Sequence, residues 1–236
     1  MLGVIINMAA VIVGGSIGTF FGSNIKEKYT DAIITAISLM TVVIGIQSAI
    51  KTNSIMCVMI CLVIGTVVGV MLKLDDFLDS AADRLKNRLK NTFLGKGKFS
   101  DAFVSSSVLF CIGTMAVIGS INAALKKDYD ILVAKSIMDF MSAIVFSAAL
   151  GGGVIFSAIS IFAVQGGIVL LAEVCQPLLT EAVVTEMSAV GGTIFIGMSI
   201  NLLGLSDKRI KIGDMLPAIF IPIIYFPLSN WITSLI

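Results

Sequence analysis

Lys135 and Asp139 lie four residues apart in ILVAKSIMDFMSAIVFSAALGGGVIFSAISIFAVQGG, the stretch from Ile131 to Gly167, which otherwise reads as lipid-facing hydrocarbon. On a helix that spacing puts both on one face, where they can pair. Ser142 extends the face, three glycines (Gly151, Gly152, Gly153) interrupt the chain, and a second apolar run carries Ser157 and then Gln165 beside Gly166 and Gly167. A charge at membrane depth costs about 2.5 kcal/mol or more even on the lenient insertion scale, so such residues mark function by default. Three chemistries are open. The two charges form a structural pair that locks helices together, and deleting one strands the other. Alternatively, Asp139 takes up a proton or cation while Lys135 attracts an anionic solute. In the third reading Lys135 snorkels to the surface, a route that helps the shorter Asp139 little.

Further polar residues sit in apolar runs. Gln165 offers donors and acceptors to a ligand or, equally, an interhelical hydrogen bond worth about 0.6 kcal/mol. Glu186 has the same status, some one and a half turns inside its run from Glu181. Asn7 must find partners if buried, and Asn122 and Asn201 close similar segments, I-G-S-I-N and I-G-M-S-I-N. Asp139, Lys135, Gln165, Glu186, Ser142, Asn7, Asn122 and Asn201 are therefore the candidate solute- or ion-binding set.

Catalytic alternatives are thin. The chain has no histidine, so imidazole metal sites and a conventional serine triad are out of reach. Cys57, Cys61, Cys111 and Cys175 lack CxxC spacing and read as small packing residues. No glycine cluster has the Lys-Ser/Thr of a phosphate loop, and there is no G-x-S-x-G elbow. An Asp139–Glu186 carboxylate pair is the one acid–base arrangement that remains. No enzyme activity, cofactor or metal site is expected.

The elements that position these residues follow from composition. At 57% hydrophobic, 13% charged and a mean hydropathy of +1.05, the 236 residues form an all-α polytopic membrane protein. A net charge of +1 gives no basis for binding nucleic acid. Eight runs approach the roughly 20 residues that cross a bilayer, at about 2–22, 31–50, 55–72, 101–125, 131–150, 154–175, 181–203 and 215–235. Together they read as one membrane domain over 1–236, with the first run a retained span rather than a signal peptide. Gly14, Gly18 and Gly22, and likewise Gly65 and Gly69, make smooth faces for another helix of this chain or of a second copy. Gly191-Gly192-Thr193 reads as a loosened stretch of the seventh run, and Pro217, Pro222 and Pro227 as kinks in the eighth. Residues 73–91 place Leu74, Phe77, Leu78, Ala81, Leu85 and Leu89 on one face, an amphipathic helix lying on the membrane surface.

Basic residues divide unevenly between the two sets of loops. Twelve fall after odd-numbered runs and three (Lys51, Lys126, Lys127) after even ones, which puts both termini outside. The recurring G-x-x-I-N spacing, Gly3 to Asn7 and Gly197 to Asn201, is compatible with an inverted repeat.

Several segments in order, GVIINMAAVIVGGSIGTFFG, KSIMDFMSA, LGGGVIFSAIS, FAVQGGIVLLA, IGMSINLLGL and GDMLPAIFIPIIYF, resemble the bacterial YdfK/YqgA-like family of uncharacterised membrane proteins, a domain-of-unknown-function family. The resemblance covers essentially the full length. It implies a multi-pass protein of the bacterial cytoplasmic membrane and brings no substrate or catalytic residue with it. Residues and resemblance together lead to a secondary transporter of a small polar or ionic solute, coupled to protons or sodium through Asp139. A scaffold or complex subunit is the alternative, and an intramembrane enzyme the third reading.

Overall fold

The computed structural model describes residues 1–22, 27–88, 99–111 and 113–233. Among them every regular element is helical: α1 (Leu2–Gly22), α2 (Glu27–Ala49), α3 (Ile55–Leu72), α4 (Leu74–Arg88), α5 (Phe99–Cys111), α6 (Thr114–Leu125), α7 (Asp130–Leu150) and α8 (Gly153–Ile161). A π-helical turn (Phe162–Gly166) joins α8 to α9 (Gly167–Leu170); then come α10 (Ala172–Leu178), α11 (Glu181–Leu203), α12 (Ile212–Met215), a 3₁₀ turn (Leu216–Phe220) and α13 (Pro222–Thr233). Large apolar side chains such as Met71, Ile137, Met141 and Leu170 stand exposed on the outer faces of these helices. A backbone satisfied within its own helices and wrapped in exposed hydrocarbon suits lipid. The chain is an integral membrane protein.

Six helices among the described residues are long and apolar enough to cross a bilayer, and α5 with α6, bent by 56°, forms either a broken seventh span or a re-entrant loop. Of the eight expected runs, the first seven thus correspond to these helices, and the end of the eighth, 234–235, lies outside the described residues. The last run holds a shorter apolar helix, Ile212–Leu228, divided into α, 3₁₀ and α pieces that change at Pro217 and Pro222, which lack the amide that continues a helix, while Pro227 sits inside α13. The fourth run breaks between Cys111 and Thr114, where Gly113 takes a φ of +134°, a conformation that only glycine adopts without strain.

Glycine sets how the helices lie. A methyl group added at Gly3 would meet Leu132, at Gly14 Phe140, at Gly18 Ile144 and at Gly22 Ala148, so α1 lies in close contact with α7 and runs parallel to it. Gly45 of α2 meets Gly192 and Ile196, and Gly192 meets Ser48 and Ala49, so α2 and α11 are antiparallel. Gly65 and Gly69 of α3 lie against Ala218 and Asp214. The small-residue faces that could have received a second copy are thus filled from within the chain. For the same reason Gly191-Gly192-Thr193 does not loosen α11, which is continuous from Glu181 to Leu203. The triple glycine forms a tight turn between two spans: Gly151 has a φ of +100°, and Gly153 lets the Phe99 carbonyl approach α8.

α4 is helical over Leu74–Arg88 within the expected span 73–91, of which 89–91 lie outside the described residues. It begins where Lys73, in the left-handed region, turns the chain out of α3. Rather than floating free, it is fastened by its acidic face. Arg209 donates to both oxygens of Asp79 (2.6 and 3.3 Å) and pairs with Asp101 at 3.5 Å, Ser100 donates to Asp79, and Lys211 reaches Asp76 at 2.8 Å. Asp75 is buried, accepts the Gly213 amide at 2.8 Å and gives its own amide to Asp214 at 3.0 Å. Burial raises the Asp75 carboxyl above its ordinary range, against the pull of the Gly213 amide and Arg209. At Asp79 desolvation works upward too, but the Arg209 and Ser100 hydrogen bonds prevail and hold the carboxyl low.

Candidate functional site

The α1–α7 contact brings the polar residues of both helices together. Lys135 donates to the two Asp139 oxygens at 2.8 and 2.7 Å, one helical turn away on the same face. Asn7, on the α1 surface that faces α7, donates its amide to Asp139 at 3.0 Å and to the Gln165 carbonyl oxygen at 3.3 Å. Gln165 in turn donates to the Phe110 carbonyl at 3.3 Å. Lys135 and Asp139 are each 6% exposed, and Asn7 and Gln165 are fully buried. Lys135 does not snorkel. That reading is corrected, because a carboxylate one turn away holds the ammonium inside.

Two helix irregularities make this network. Phe110 stands one residue before the end of α5, so its carbonyl is among those that no amide of its own helix reaches. Gln165 belongs to the π-helical turn, a wider winding that frequently occurs at functional sites. A freed carbonyl on a broken helix therefore joins, through Gln165 and Asn7, to a buried ion pair. Asn7 Oδ1 is a buried acceptor with no hydrogen-bond partner, so the network leaves one acceptor unsatisfied.

Beside the network, Cys111 at the end of α5 forms part of the wall of an apolar cavity of about 490 Å³.

Other expected residues lie apart. Glu186 is fully buried but accepts the Thr52 hydroxyl at 2.5 Å and the Asn53 amide at 2.7 Å, holding the turn between α2 and α3. It shares no hydrogen-bond partner with Asp139, so the two carboxylates form no acid–base pair through a common group. Asn201 holds the loop before α12: its amide donates to the Ile210 carbonyl and its oxygen accepts the Ile210 amide, both at 2.8 Å. Asn122 is half-buried near the end of α6, where its backbone carbonyl accepts from Lys126 and Asp128. Ser142 is half-buried on α7 beyond Asp139 and outside the network. The Phe110 carbonyl and the helix break were not anticipated. The one signal for them was Gly113 followed by Thr114 inside an otherwise apolar run.

Comparison with known proteins agrees with the membrane architecture. A family model described as "Protein of unknown function (DUF554)" matches residues 2–227. The chain belongs to this family. Among its relatives, the DUF554 chain is 28% identical over 224 residues to "Uncharacterized membrane protein YdfK" of Bacillus subtilis (strain 168), covering 94% of each chain. It is 26% identical over 223 residues to "Uncharacterized protein YqgA" of Escherichia coli (strain K12), again over 94% of each. No solved structure matches the chain. This DUF554 member thus shares nearly its whole length with uncharacterised proteins, one of them named for the membrane.

Proposed function

We propose that this chain is a secondary transporter of a small solute bearing a polar or ionic group, resident in the bacterial cytoplasmic membrane with both termini outside. The observation that carries the reading is the buried Lys135–Asp139 pair tied by Asn7 and Gln165 to the carbonyl at the α5 break. Broken helices at membrane depth characterise solute and ion sites in transporters, because the interrupted backbone supplies polar groups where side chains are scarce. Protonation of Asp139, or a cation beside it, weakens its hold on Lys135 and frees an ammonium for an anionic group on the solute. Gln165 and Asn7 pass the change to α5 and α1. The described basic residues support the orientation: Lys73, Lys208, Arg209 and Lys211 follow the C-terminal ends of α3 and α11 and Arg84 lies within α4 after α3, whereas Lys51 precedes α3 and Lys126 and Lys127 follow α6. We take the chain to do no covalent chemistry, since Glu186 serves the α2–α3 turn instead.

The test is a thermal-stability screen against metabolites and ions at two pH values, on wild type and Asp139→Asn, followed by proteoliposome uptake of whatever stabilises. A solute that binds the native state raises the melting temperature as its concentration rises. It should do so in wild type alone, and its uptake should collapse when the ion gradient is dissipated. Stabilising solutes that never enter wild-type vesicles would sink the transport reading.

One observation favours a scaffold instead: both Asp139 oxygens are already satisfied by Lys135 and Asn7. A closed pair of this kind predicts equal ligand responses in wild type and Asp139→Asn.

A further inference from the structure

We infer that the cavity between the α5–α6 break and the π-helical turn binds the neutral, apolar body of an amphiphile, an organic molecule that carries a hydrogen-bonding group such as a hydroxyl on that body. This deepens the transporter reading by naming the solute class. The binding itself requires no transport.

Size comes first. About 490 Å³ lies within the range of small-molecule sites, which are mostly apolar with a few placed polar groups. Protein interiors are otherwise close-packed, so a space of this size needs walls that do not collapse. The broken helix supplies one wall at Gly113, and the helix that follows the π-helical turn supplies another at Gly167.

Gly167 is the telling residue. Gly14, Gly18, Gly22, Gly45, Gly65, Gly69, Gly153 and Gly192 each lie hard against a neighbouring helix, which is the usual purpose of glycine in a membrane helix. Gly167 has ordinary helical angles, and a methyl group there would meet nothing within 4 Å. It serves neither a turn nor a close approach. What its missing side chain leaves is volume in the cavity wall.

The polar groups on the wall set the chemistry. Ser107 and Ser160 share one hydrogen bond of 2.9 Å. Ser106, Ser120, Ser136, Ser147 and Ser157 instead return their hydroxyls to their own helix backbones. Two hydroxyls sharing one bond retain one O–H to donate and lone pairs to accept. Among the described residues no charged side chain lines the cavity, so the ligand portion held here is neutral. The exposed positions along the wall, Ala163, Leu171 and Phe220, put its mouth on the outer surface of the bundle between α9 and the 3₁₀ turn. An apolar molecule dissolved in the bilayer reaches it there.

The experiment uses Cys175, which is half-buried and lines the cavity. With Cys57, Cys61 and Cys111 replaced by alanine, the full chain is reconstituted in vesicles, and the rate of Cys175 labelling by N-ethylmaleimide is measured against rising 4-hexylphenol. The expected result is saturable protection of several-fold, weaker for hexylbenzene, which lacks the hydroxyl. Gly167→Phe should fill the space and abolish the protection. Ser160→Ala, which changes almost no volume, should erase the difference between the two probes, and it keeps the test decisive if the bulkier variant does not fold. Unchanged labelling, protection that never saturates, or protection that survives Gly167→Phe in a folded protein would each overturn the site. Protection in vesicles that take up none of the probe would leave the cavity assignment standing and defeat only the transport reading.

Discussion

Asp139 is held by three donor contacts, two from Lys135 and one from Asn7, in a place with almost no solvent. Removing one partner of a buried pair leaves a bare charge, which typically destabilises by about 3–5 kcal/mol, whereas removing both can be nearly neutral. Lys135→Met should therefore lower stability sharply, and adding Asp139→Asn to it should recover most of the loss in a double-mutant cycle followed by unfolding in detergent. Single variants that melt like wild type would mean that water reaches the pair. The pairing was legible because four-residue spacing on a helix is local geometry. That Asn7 joins it while Glu186 does not was beyond reach, since the residue types look equally polar in equally apolar runs. Only the α1–α7 and α2–α11 contacts decide which of them meets Asp139 and which meets Thr52.

The glycines separate two uses of the same residue at the scale of the helix. At Gly18 an added methyl group would run into the Ile144 carbonyl and the Ser147 hydroxyl, whereas at Gly167 it would meet open space. Gly18→Ala should thus part α1 from α7 and cost about 1–3 kcal/mol, the usual penalty for overpacking. Gly167→Ala should cost nothing or stabilise slightly, because alanine favours the helix by up to about 1 kcal/mol over glycine. Melting temperatures of the two variants side by side check this, and equal losses would refute the distinction. Four-residue glycine spacing foretold the α1 face but not its partner. The break at Gly113 and the π-helical turn at Phe162–Gly166 escaped the sequence because both lie inside unbroken apolar runs, where hydropathy cannot register a change in hydrogen-bonding pattern.

Over the whole molecule, the end that carries α4 is closed by charge. Asp79, Arg209 and Asp101 join α4, the loop before α12 and the start of α5, while Asp75 and Asp214 bind that same region through backbone amides. For a transporter such a clamp would have to open on this side during the cycle, and its two central carboxylates respond to pH with opposite sign. Asp79 has a lowered folded pKa, so its contribution is complete above the ordinary carboxylate value near 4 and is lost as the pH falls through the folded value. Asp75 has a raised folded pKa, so ionising it disfavours the folded state, and stability falls as the pH climbs from the ordinary value through the folded one. At neutral pH, Asp79→Asn should therefore destabilise, by no more than about 1 kcal/mol because the Arg209 pair is partly exposed to water. Asp75→Asn keeps an oxygen for the Gly213 amide and removes the buried charge, so it should be neutral or stabilising. Thermal melts from pH 4 to 8 distinguish the two: the penalty of Asp79→Asn should shrink toward the acid end, and the benefit of Asp75→Asn should grow toward neutrality. Parallel curves for both variants would show that the clamp is held by packing rather than by these charges.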